Sequence, residues 1–245
     1  KKFKIRIAKY IASTGACSRR EAEKLIIKGD VTVNEEKVIH PLFFVNNKDQ
    51  IHIKGKLLKK QPETRLFLYN KPKNLITSHK DPENRPTVFD NVPKKLGRLI
   101  SIGRLDYNTE GLLLLTNNGA LKRYMELPSN KIKRIYKVKI RGDICNLKAE
   151  EIEKGITINK VRYSPIKLKI ISKTKNITWL EFNLIEGKNR EIRKILEYCN
   201  LQVSRLIRIS YGQFYLNDLK KNEIAEINKN KIKNILNILK KDKTC

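Results

Sequence analysis

One carboxylate in this 245-residue chain sits in unusual surroundings. Asp106 lies in Gly103-Arg104-Leu105-Asp106-Tyr107-Asn108-Thr109-Glu110-Gly111, a loop of glycines and polar turn formers that runs straight into Leu112–Leu115. A short apolar run between turn signals predicts a strand buried on both faces, and a loop tied to such a strand is held still enough to do chemistry. The ordinary role of an Asp in a loop is to bond the nearby backbone, here Asn108 or Thr109. Other reactive groups are sparse. His40, His52 and His79 form no His-x-x-x-His pair, and Cys17, Cys145, Cys199 and Cys245 have no Cys-x-x-Cys spacing, so neither a metal site nor a disulfide framework is expected. A lone Asp can serve as general acid or base, or as a nucleophile, and carboxylates suit electron-poor sugar carbons.

Several elements must position that loop. Arg134–Arg141 alternates, with Tyr136, Val138 and Ile140 on one face and Lys137, Lys139 and Arg141 on the other, as a half-buried strand does. Glu186–Lys194 opens a helix with Ile192, Ile195, Leu196 and Cys199 inward and Arg190, Arg193 and Glu197 on another face. Near the N-terminus, Ser18 and Glu21 have capping-box spacing. The helix they start carries Arg19, Arg20, Lys24 and Lys28 on its outer face, a surface suited to phosphates. The loop from Ser78 to Pro93, containing Asp81 and Arg85, is long enough to be functional.

The string from Gly103 to Gly119 closely resembles the signature of ribosomal-RNA pseudouridine synthases of the RsuA/RluB branch. Arg134–Val138 and Glu186–Lys194 resemble that family's second and third motifs, and Val203–Gly212 is similar to its final strand. Ser18–Asn34 resembles the S4 RNA-binding domain. Together these resemblances cover about residues 3–50 and 65–216. They imply an α+β protein: an S4-like domain over 1–53, a linker over 54–65, a catalytic domain with a mostly antiparallel sheet and flanking helices over 66–222, and a basic C-terminal helix or tail over 223–245. They also imply roles. Asp106 is the catalytic group, as nucleophile or as base. Tyr136 stacks on the target base, Arg193 pairs with Asp106, and Arg104 fills the space that the flipped nucleotide leaves. Arg85, Arg190 and the S4 cations contact RNA. Uracil departs as a stabilised anion and rejoins the ribose through carbon 5, so no cofactor is expected. The third motif and the Val203–Arg208 strand are most similar to the large-subunit, RluB-type members. That points to 23S rRNA near the peptidyl-transferase centre, or a large-subunit assembly intermediate, as partner. The alternatives are a small-subunit 16S enzyme and a non-catalytic S4-domain assembly factor.

The composition fits this reading. A formal net charge of +29 favours a polyanionic partner, although a chain so rich in Lys, Ile and Asn also carries background charge. No apolar run approaches the length of a membrane span, and the scattered cysteines suit a reducing, cytoplasmic-type compartment or an organelle of bacterial descent. Nothing calls for more than a monomer.

Overall fold

The computed structural model describes residues 4–241. Cys245 and the end of the expected C-terminal helix lie outside them. The predicted leucine strand is the strand Glu110–Thr116, and every one of its residues is buried. It can be apolar on both faces because elements cover it on both sides: Leu112 and Leu114 point into one cluster with Leu121, Met125 and Tyr211, while Leu113 and Leu115 join another with Phe67, Tyr69 and Leu105.

Around it a nine-stranded sheet runs in the order Lys167–Lys173, Ile177–Leu184, Arg134–Arg141, Val203–Tyr211, Glu110–Thr116, Leu66–Lys71, Ile224–Glu226, with two short strands branching from it. All its pairings are antiparallel except one: Val203–Tyr211 lies parallel to Glu110–Thr116, through Ile207 opposite Glu110 and Arg208 opposite Gly111. This junction joins the two halves of the sheet. Gly111 makes it possible: its φ is +99°, and a Cβ there would stand 2.3 Å from the Arg208 carbonyl oxygen. The far half is backed by the helix Glu191–Tyr198, whose Ile192, Ile195 and Leu196 pack against Val138, Leu180 and Phe182.

The N-terminal unit folds as expected. Ser18 Oγ accepts from the Glu21 N–H at 3.2 Å and Glu21 Oε2 from the Ser18 N–H at 2.8 Å, so the capping box starts the helix Arg19–Ile27. Two expected boundaries move. Lys54-Gly55, read as the start of a linker, is a two-residue hairpin turn with φ of +50° and +76°. It returns the chain as Lys56–Leu57 to pair with Ile51–Ile53, and Leu58 then packs on the S4 core. The C-terminal stretch is not a loose tail. Ile224–Glu226 pairs with Phe67–Tyr69 at the edge of the sheet. The helix Lys229–Lys241 buries Ile232 in the cluster around Leu121 and Met125, with Ile235, Leu236 and Leu239 packed beside it. No helix among the described residues is long and apolar enough to cross a membrane.

Candidate active site

The loop before the leucine strand is held by its backbone. Each carbonyl from Leu105 to Thr109 is bonded. Thr77 Oγ1 donates to Leu105 O at 2.9 Å. The Thr109 N–H reaches Asp106 O at 3.0 Å and the Asn74 N–H reaches Tyr107 O at 2.9 Å. Arg193 Nη2 donates to Asn108 O at 3.0 Å. Lys71 is the common tether. Its Nζ lies 3.1 Å from Asp106 O, 2.9 Å from Thr109 O and 3.0 Å from Pro72 O. Lys71 is 0 % exposed. Burial pulls its pKa down from 10.5 to about 8, against the opposing pull of Asp106 and Glu110.

The start of the loop is tied from the helix Gly119–Glu126. Glu126 Oε1 accepts from the Gly103 N–H at 2.5 Å. Lys122 pairs with Glu126 and donates to Ser101 O at 2.8 Å. At its end, Glu110 pairs with Arg205 at 2.7 Å and Lys221 at 2.9 Å. Burial opposes ionisation of Glu110, and these two hydrogen-bonded cations outweigh it, holding the carboxyl below its usual range.

Against this tethered backbone, the Asp106 carboxylate stands half-buried with no hydrogen-bond or ion-pair partner among the described residues. The Asp106 carbonyl, and not the side chain, closes the turn to Thr109, so the ordinary loop role does not describe this residue. Asp106 lines a cleft of about 730 Å³ that also takes in Arg104, Tyr136, Arg190, Glu191 and Arg208. That volume is within the range of ordinary ligand sites.

Sheet register supplies the cleft's floor. Tyr136 lies opposite Arg208, which in turn lies opposite Gly111, so these residues line up across three strands. Arg208 is 2 % exposed. Its Nε donates to Leu112 O at 2.7 Å, its Nη1 to Tyr136 Oη at 3.4 Å, and its guanidinium lies 5.0 Å from the Tyr211 ring centroid. Arg134 braces the same wall, donating to Ile185 O at 2.8 Å and Tyr211 Oη at 2.9 Å.

The structure thus brings Arg104, Asp106, Tyr136 and Arg190 to one cleft, with Arg104 and Arg190 exposed. One expectation changes, that of Arg193, and Arg85 lies away from the cleft. Arg193 forms no ion pair with Asp106; it grips the loop two residues further on, through Asn108 O. Burial and the adjacent Arg190 lower its pKa, and the Asp106 charge raises it, so the two groups still feel each other. Arg85, expected on RNA, is bound within its own loop: Nε and Nη2 each lie 2.9 Å from Asp81 oxygens, and Nη1 lies 3.0 Å from Glu83. It does not line the cleft. The S4 cations Arg19, Arg20, Lys24 and Lys28 are all exposed on their helix. The sequence assigns no role to Lys71, Lys122 or Glu126, and Arg208 lies within the Val203–Gly212 string without one. The only local sign of them is the spacing of Lys122 and Glu126 on one helix face.

Comparison with known proteins identifies the family of this fold. Residues 65–198 match the family model described as RNA pseudouridylate synthase, and residues 5–51 match that of the S4 domain. A protein of Rickettsia conorii named "uncharacterized RNA pseudouridine synthase" is 47 % identical over 93 % of this chain and 97 % of its own. "Ribosomal large subunit pseudouridine synthase B" of Buchnera aphidicola is 37 % identical over 96 % of this chain and 97 % of its own. A solved structure described as a pseudouridylate synthase superposes with a TM-score of 0.68 at 26 % identity, covering 94 % of this chain and 98 % of that one. The chain therefore belongs to the RNA pseudouridine synthase family, in the branch that carries an N-terminal S4 domain.

Proposed function

We propose that this enzyme converts one uridine of large-subunit, 23S-type ribosomal RNA to pseudouridine, near the peptidyl-transferase centre, with Asp106 as its catalytic group. The observation that carries the reading is the contrast at the loop: every backbone carbonyl from Leu105 to Thr109 is tied, and the Asp106 carboxylate is left unpartnered in the cleft. Such a group is preorganised for a substrate. The large-subunit name of the Buchnera relative supports the choice of rRNA. The similarity of Asn189–Arg193 and Val203–Arg208 to RluB-type enzymes supports the region.

In this reading the S4 domain, ending near Leu58, anchors the RNA through Arg19, Arg20, Lys24 and Lys28. The target nucleotide swings out of its stack into the cleft, and Arg104 at the rim takes the vacated space. Tyr136, fixed by Arg208, holds the base by its ring. Asp106 either attacks the ribose or removes a sugar proton, and the N-glycosidic bond breaks. Uracil turns within the cleft and bonds through carbon 5, which frees Asp106 from the ribose or takes back the sugar proton; the carbon-5 proton passes to solvent and N1 takes one up in its place. The reaction is an isomerisation and consumes nothing.

The loss of that proton supplies the test. A 23S transcript labelled with tritium at uridine carbon 5 is incubated with the protein. Wild type is expected to release tritium into solvent and Asp106→Asn to release none. Equal release by both proteins would remove Asp106 from the mechanism; release only from a 16S transcript would move the substrate to the small subunit.

A further inference from the structure

The helix that carries Arg193 also leads away from the cleft. Residues four apart lie along one helix face, so Lys194 and Tyr198 are neighbours on the helix Glu191–Tyr198, which Arg190 caps in the left-handed conformation. The helix starts at the cleft, which Arg190 and Glu191 line, and extends about 12 Å. At its far end is a second groove of about 310 Å³, lined by Ile158, Val161, Tyr163, Lys194, Glu197 and Tyr198. Tyr198 is 43 % exposed. Lys148 Nζ lies 4.6 Å from the centroid of its ring, while also 3.8 Å from Glu151. Lys194 and Glu197 are exposed and enter no ion pair among the described residues. An exposed tyrosine over an apolar floor, flanked by Lys148 and Lys194 and joined to the cleft by one short helix, has the make-up of a single-strand nucleic-acid platform: a ring for the base and cations for the backbone. Glu197 adds selectivity. A carboxylate accepts from an amino group and repels a carbonyl oxygen.

We propose that this groove is a subsite for a nucleotide of the same RNA, a few positions from the target uridine. Tyr198 stacks on its base, Lys194 meets an intervening phosphate, and Glu197 favours a base bearing an amino group over uracil. The inference rests on the reading that the cleft takes a uridine of RNA.

Its test uses the full-length protein and three probes: a 23S transcript, a decamer of uridines, and the same decamer with adenines interspersed. Tyr198→Ala is expected to weaken transcript binding about tenfold, with the salt dependence and thermal midpoint unchanged. Tyr198→Phe is expected to bind as wild type does. Lys194→Ala should lower the slope of log affinity against log salt by about one. Glu197→Gln, a change on the exposed surface, should abolish the preference for the adenine-bearing decamer, and this decides the matter if Tyr198→Ala does not fold. Transcript binding within twofold of wild type in Tyr198→Ala, or an unchanged base preference in Glu197→Gln, would overturn the subsite. Both variant effects, found together with a wild-type protein that releases no tritium from the transcript, would overturn the proposed function and leave the subsite standing.

Discussion

Lys71 and the four cations on the S4 helix Arg19–Ile27 carry the same charge in opposite settings. Arg19, Arg20, Lys24 and Lys28 face solvent, where a charge has a small cost and a phosphate is free to meet it. Lys71 is sealed from solvent, and the carbonyls of Pro72, Asp106 and Thr109 compensate for its desolvation. Arg208 is also buried, between Leu112 O, Tyr136 and Tyr211, with its Nε and Nη1 bonded and its Nη2 left without a partner among the described residues. The surface cations can be spared one at a time, because each adds a single phosphate interaction to a sum. A buried cation gathers several groups at once, so its loss disperses them. In the proposed reading, charge that binds RNA and charge that builds the Asp106 loop are separate populations, though the net charge counts them alike.

The largest effect that would sharpen this contrast is expected of Lys71→Ala. With its tether gone the Asp106 loop loses its geometry, and displacement of a catalytic group by about 1 Å can cost roughly a hundredfold in rate. The expected result is a loss of that order in single-turnover rate, with the salt dependence of RNA binding unchanged, since Lys71 reaches no phosphate. A loss confined to affinity would break the distinction.

Next comes pH. As pH rises through about 8, Lys71 loses its proton and one of its donors, so activity should fall with a midpoint there. Stability moves the other way. The folded pKa lies below the ordinary 10.5, so between about 8 and 10.5 the unfolded chain holds a proton that the folded chain has released, and this group's contribution to stability rises with pH. Alkaline inactivation should therefore be reversible and occur without unfolding. Lys71→Arg, which keeps its charge throughout, should lack that alkaline limb.

Glu126→Ala should be milder, roughly a tenfold loss of rate, because it frees one backbone N–H at Gly103 and leaves Lys71 in place; Glu126→Gln, which can still accept, should recover most of it. Smallest are single alanine substitutions at Arg19, Arg20, Lys24 or Lys28. Each should weaken RNA binding a few-fold and lower the salt slope by about 0.9 for every phosphate left without its cation. A substitution among these that slowed the chemical step in saturating RNA would erase the separation.

The same contrast explains what the sequence could reveal. The Ser18–Glu21 cap, the leucine strand and the alternation around Tyr136 are written in neighbouring residues, and each stands where its local pattern put it. The roles of Lys71, one of 54 Lys and Arg, and of Arg208, inside its family-like strand, were not legible, because burial depends on strands that meet only in the folded chain. The pairing of Ile224–Glu226 with Phe67–Tyr69 likewise joins distant segments and is invisible to any window of sequence. The Arg193 helix was legible, but its true grip on Asn108 O was not, since a backbone carbonyl leaves no mark in a motif.

The central claim, that Asp106 of this chain makes one pseudouridine in large-subunit RNA, is met most directly in cells. Ribosomal RNA from a strain lacking the protein, complemented with wild type or with Asp106→Ala, would be mapped on both subunits by carbodiimide-dependent primer-extension stops. The prediction is that a single large-subunit stop disappears in the deletion strain and returns with wild type alone. Restoration by Asp106→Ala, or a full set of stops in the deletion strain, would contradict it.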